Sequence, residues 1–119
     1  MPLPSTRTVT FVNAVREADA WLLPQTPAIL KTTVWGTPTV AKAQPGESRP
    51  APLREPGDGG LYVFRMIDAE GFFYSADALT LEDGCTVKIQ GDDLQAMFLE
   101  ISDPDGTLRQ TSPVFAARL

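Results

Sequence analysis

Between Gly60 and Ile89 the chain reads GLYVFRMIDAEGFFYSADALTLEDGCTVKI, and its bulky apolar residues recur at every second position. That period belongs to extended chain, in which successive side chains point to opposite faces. Tyr62, Phe64 and Met66 fall on one face of a strand, and Phe72, Tyr74 and Ala76 on one face of the next. Asp68-Ala69-Glu70-Gly71 joins them, with Gly71 free to take the positive φ of a short hairpin loop. A lone hairpin is marginal in water, so its aromatic face must be covered by a second layer. This stretch therefore asks for sheet packed on sheet.

The rest of the chain supplies further strands. Thr6 to Asn13 is β-rich, with Val9 and Phe11 on one face. Asn13 to Leu23 admits two readings. One is a short helix capped by Asn13, with Val15, Ala18 and Leu22 as its apolar stripe; the other is a turn through Arg16 to Asp19 and a strand Ala20 to Leu23. Pro24 and Pro27 leave any helix only about two to three turns, which favours the strand. Ala28 to Trp35 reads as a third strand and Thr37 to Ala43 as a short edge strand, followed by a Gln44-Pro45-Gly46-Glu47 turn. Arg49 to Gly60 carries Pro50, Pro52 and Pro56, lacks ladder donors there, and reads as a polyproline-like excursion. Residues 44–60 are thus a Pro/Gly-rich loop, and residues 1–5 a flexible N-terminus.

Further turns at Glu82-Asp83-Gly84, Gly91-Asp92-Asp93 and Asp103-Pro104-Asp105-Gly106 separate strands around Cys85 to Gln90 and Leu94 to Ser102. A polar last strand, Thr107 to Phe115, is interrupted by Pro113 and belongs at an edge. The expected architecture is one domain over residues 1–119. It is all-β, an antiparallel β-sandwich of about seven or eight strands with little or no helix.

The run Gly59-Gly60-Leu61-Tyr62-Val63-Phe64-Arg65-Met66-Ile67-Asp68-Ala69-Glu70-Gly71, after Gln44-Pro45-Gly46-Glu47-Ser48, resembles small bacterial prealbumin-like and carboxypeptidase-regulatory-like sandwiches. In those, a proline-glycine turn precedes a strand opening Gly-x-Tyr, then a glycine-bearing hairpin. The resemblance covers residues 38 to 90, and the proline-rich insertion before Gly60 departs from it. It implies a non-catalytic sandwich serving as a spacer, adhesive or accessory module, and it carries over no functional residue.

Composition narrows the function classes. The net charge is −5, and the ten Lys and Arg residues are dispersed, so there is no basic stripe for nucleic acid. No apolar run approaches the roughly 20 residues of a membrane span. The opening residues lack the apolar core of a signal peptide. Two placements remain, a protein kept in the cytoplasm or an extracellular one whose leader was removed. A single cysteine, Cys85, excludes an intrachain disulfide, and histidine is absent, which removes the commonest general base and metal ligand. No cofactor is expected.

Three sets of residues are candidates for function. The acidic turns offer Asp68 and Glu70, Glu82 and Asp83, Asp92 and Asp93, Asp103 and Asp105 as hard oxygen ligands. Asp68, Glu70, Asp103 and Asp105 are the ones chosen for a cation, against the plain alternative that Asp and Gly are turn residues. Trp35, Phe73 and Tyr74 are chosen for contact with a protein partner or a sugar ring, against ordinary use in the core. Ser75 and Asp77 share a strand face but have no histidine to activate a nucleophile. An edge by Val9, if bare, would accept a strand from a second copy. The expected function is therefore an interaction or assembly module, with self-association as one form of it; a carbohydrate-binding module comes second, a calcium-binding accessory domain third and an enzyme last.

Overall fold

In a computed structural model of the chain, which describes residues 7–32, 35–91 and 97–118, Tyr62–Asp68 (β5) and Phe72–Leu79 (β6) form the hairpin their alternation demands. Gly71 turns it at φ 86°. Before them come β1 (Arg7–Asn13), β2 (Ala18–Pro24), a short helix α1 (Pro27–Lys31), β3 (Val40–Ala43), β4 (Glu47–Leu53) and a 3-10 turn at Asp58–Gly60. After them come β7 (Thr86–Gln90), β8 (Phe98–Ser102), β9 (Leu108–Pro113) and β10 (Phe115–Arg118). One five-stranded sheet runs β4-β1-β7-β8-β9, and the other runs β10-β6-β5-β2-β3. Every pair is antiparallel except β1 with β7, which is parallel.

The chain is an all-β sandwich, as the alternation requires. Val9 and Phe11 of β1 face Leu22, Tyr62, Phe64 and Met66 across one apolar core, completed by Tyr74, Val87, Ile89, Leu99 and Ile101. Phe11 and Phe64, from opposite sheets, hold their ring centroids 6.0 Å apart. Each large side chain buried here is worth about 1.5–3 kcal/mol of transfer free energy. Cys85 lies in the same core with no exposure.

The structure has ten strands where seven or eight are expected: β4 forms within the expected loop, and the expected strand over 107–115 divides into β9 and β10. Residues 28–35 are the clearest departure. Pro27–Lys31 is helical, since the Thr26 side chain accepts from the Ile29 amide at 3.1 Å and Pro27 occupies the first turn. Capping chemistry prevails there over β-branched composition, while Thr33 and Val34 lie outside the described residues. Glu47–Leu53 is a strand, not an excursion. The amides of Thr10 and Ala14 turn towards β7, so Val9 and Phe11 turn towards β4 and pair with Ala51 and Arg49. Pro50 and Pro52 therefore face outwards, where no donor is needed. β1 is flanked by β4 and β7, so the edge by Val9 is not bare.

The expected strand over residues 107–115 divides. β9 closes one sheet, the chain crosses at Val114, whose amide donates to the Met97 carbonyl at 3.0 Å, and β10 closes the other. Residues 18–24 are strand rather than helix. Asn13 is fully buried at the bend before them, donating to the Ala43 carbonyl at 3.0 Å and accepting from the Val15 amide at 3.1 Å. The expected flexible N-terminus (residues 1–5), the turn through Asp92 and Asp93, and the strand start at Leu94 lie outside the described residues.

Candidate contact surface and cleft

The outer face of the second sheet carries the aromatic residues. Opposite residues of an antiparallel pair share a face, so the pairs Trp21–Arg65, Ile67–Phe73 and Phe73–Ala117 place these side chains together. Trp35 is laid over this face by the connection that follows α1. Its ring stacks on Phe73 at 5.3 Å between centroids, with the planes 15° apart, and meets Trp21 at 5.4 Å and 57°. The Trp21 indole N–H donates to the Gly36 carbonyl at 3.2 Å, fastening the same connection. Trp35 and Phe73, two of the three contact residues chosen from sequence, thus touch each other and are half-buried. The third, Tyr74, is not at the surface. It sits in the core with no exposure and donates its hydroxyl to Asp68 at 2.6 Å. Alternation had already set it on the inner face with Ala76.

Among the described residues, two of the acidic turns meet at Arg109, which holds both Glu82 at 3.1 Å and Asp103 at 2.8 Å, and their carboxylates are taken by arginines and turn amides. Asp68 accepts from the amides of Glu70 and Phe72, each at 2.9 Å, and lies 3.5 Å from the Arg16 guanidinium. Burial by itself would raise the Asp68 pKa, but the Tyr74 hydroxyl, the two amides and Arg16 outweigh it and hold the carboxyl below its ordinary value. Burial, then the hydrogen bond to Asp68, pushes the Tyr74 phenol up, so it stays a donor. Glu70 pairs with Arg16 at 3.4 Å. Asp103 pairs with Arg109 at 2.8 Å, and Asp105 accepts from the Thr107 amide at 2.9 Å. Among the described residues no three His, Cys, Asp or Glu side chains are grouped to hold a metal ion. These carboxylates are turn builders and arginine partners.

Sequence reasoning missed two features. The first is a cleft of about 570 Å³ between α1, the Thr37-Pro38-Thr39 strap and the ends of β2 and β4. Leu23, Ile29, Trp35, Pro38 and Pro52 line it, and among the described residues Arg54 is the one charged residue in its wall. A Thr-Pro helix start, legible as a capping signal, was the clue to its roof. The second is β10, on which Phe115 is 69% exposed.

The four edge strands differ. β4 is blunted by Pro50 and Pro52. β3 has backbone groups taken by side chains: Arg49 donates to the Ala41 carbonyl at 3.2 Å and Gln44 to the Lys42 carbonyl at 3.3 Å, while on the β2 side, where the pairing is irregular, Asp19 accepts from the Lys42 amide at 2.8 Å. β9 is broken by a register shift opposite Ile101 and Ser102. All three are recognised ways of spoiling an edge. β10 has no proline, no register shift and, among the described residues, no side chain bonded along its outer edge.

No family model, no curated protein and no solved structure matches this chain.

Proposed function

We propose that the chain is a contact module whose contact element is β10, and that its first partner is a second copy of itself. The single observation behind this reading is the unguarded edge of β10 with Phe115 exposed beside it. Unpaired backbone N–H and C=O groups call for an extended chain, the logic of strand addition. The strand is also self-complementary. Phe115 and Ala117 share the outer face, opposite Ser75 and Phe73. An antiparallel pairing about a two-fold axis at Ala116 sets each Phe115 over the partner's Ala117, a large residue on a small one, next to Phe73. The aromatic row Trp21, Trp35, Phe73 would then continue across the join.

Four residues per copy give a ladder of only about 13 Å. The buried area falls well short of the roughly 800 Å² per partner of a standard interface. Association should therefore be weak and rise with concentration. Carbohydrate capture has less to rest on: Trp35 and Phe73 turn ring faces to each other, and Tyr74 is in the core. Sedimentation equilibrium over a wide concentration range tests the proposal. Dimer that grows with concentration and disappears in Phe115→Lys, with the melting temperature held, supports it. A monomer at all concentrations, or a dimer indifferent to Phe115→Lys, overturns it.

A further inference from the structure

The cleft beside Trp35 is built from α1, the Thr37–Thr39 strap and the ends of β2 and β4, none of which belongs to β10. Its volume of about 570 Å³ lies within the range of small-molecule sites, about 300–1,000 Å³. Pro24, Pro38 and Pro52 stiffen its wall; Leu23, Ile29 and Trp35 give it an apolar side, and Thr26, Thr37 and Thr39 a polar one. Against this lining stands one cation, Arg54. Its backbone carbonyl accepts from the Tyr62 hydroxyl at 2.5 Å, which fixes the chain at the cleft's rim. Its guanidinium has no ion pair or side-chain hydrogen bond among the described residues, whereas Arg16, Arg49, Arg65 and Arg109 each hold a carboxylate. A second group also lacks a partner: the Trp35 indole N–H is buried without an acceptor. A buried donor left unmade is costly, and an acceptor arriving in the cleft would relieve it.

We propose that this cleft binds a small amphipathic anion, a carboxylate or sulfonate carried on an apolar or aromatic body. The body lies against Leu23, Ile29 and Pro38, and the anionic head meets Arg54, whose planar guanidinium suits two parallel hydrogen bonds to one such group. Loosening of the Trp35 strap then lets the indole N–H find an acceptor on the ligand. The binding is independent of β10, so its success or failure is separate from that of strand pairing.

The probes are 8-anilinonaphthalene-1-sulfonate, read by its fluorescence, and decanoate against decan-1-ol as competitors. Expected is saturable binding of the sulfonate, with decanoate displacing it on the order of tenfold more effectively than the alcohol, the worth of one charge-assisted hydrogen bond. Arg54→Gln, at an exposed position, keeps the melting temperature and removes the preference for the acid. Ile29→Trp, which fills the cleft from α1, blocks acid and alcohol alike, and Phe115→Lys changes neither. Equal displacement by acid and alcohol, a preference that survives Arg54→Gln, or an absence of saturable binding to the native chain would overturn the proposal.

Discussion

At each side of the sandwich the edge strand of one sheet is followed directly by the edge strand of the other, β3 by β4 and β9 by β10, and the two sides are finished in opposite ways. On one, β3 and β4 are joined by the Gln44–Glu47 turn; β3 has carbonyls taken by the side chains of Arg49 and Gln44, and β4 is stopped by its paired prolines. On the other, β9 and β10 are joined through Val114; β9 is bulged and held by Gln110, which accepts from the Thr80 amide at 3.1 Å and donates to the Ala78 carbonyl at 3.2 Å. Among the described residues, only β10 remains open there. Both sides have the same topology, so protection of an edge is a matter of local chemistry. A fold can be closed against its neighbours on three strands and open on the fourth through a handful of residues.

Mutations can test that contrast, and the largest effect belongs to the closed side. Gly57 is pressed so closely on the Gln25 backbone that a Cβ would stand 2.1 Å from the Gln25 carbonyl oxygen. Gly57→Ala should cost about 3 kcal/mol or more, measured by urea denaturation, because backbone must move on both sides of the contact. Asp68→Asn should cost about 1–3 kcal/mol by loss of charged acceptor bonds. It should also flatten the acid limb of the stability curve. Because the folded carboxyl titrates below its unfolded value, its contribution is complete above pH of about 4 and lost as pH falls through the folded pKa. Denaturation midpoints of the native and variant chains from pH 7 to pH 2 should converge as acid is added.

A smaller effect on the monomer would cut deeper into the comparison. Pro50→Thr with Pro52→Thr restores two outward amides on β4 and should create new association, visible by light scattering, with the monomer's stability changed by about 1 kcal/mol or less. Scattering that stays monomeric would mean that prolines are not what guards that edge. Phe115→Lys should change monomer stability by no more than about 0.5 kcal/mol, because the ring is already in water.

The fold was largely legible because alternation is a local signal that burial then enforces. Tyr62, Phe64 and Met66 on one face, and Val87 and Ile89 after the next turn, are in the core where the period placed them. α1 was missed although Thr26-Pro27 is a capping pair, since the apolar and β-branched run behind it speaks for a strand. β4 was missed because proline argues against a strand unless its spacing is considered. Two prolines two residues apart point the same way, which is just what an edge permits. The site was less legible. That Trp35 would lie on Phe73 depends on a connection folding back over a sheet, a contact between residues 38 positions apart that no local pattern encodes. Choosing Tyr74 as a surface ring went against the very alternation that had put it indoors.

Gln25 takes part in three separate connections. Its amide donates to the Leu61 carbonyl, its carbonyl accepts from the Asp58 amide at 2.8 Å, and its side-chain oxygen accepts from the Ala78 amide at 2.7 Å. Ala78 itself is held at φ 59°, a conformation that would relax if that grip were lost. The segment after β2, the loop after β4 and the end of β6 should therefore open as one unit, with the amides of Gln25, Asp58 and Ala78 exchanging with deuterium at a shared rate faster than the core of β5. Any molecule resting in the cleft above them would slow that breathing without touching the sheets.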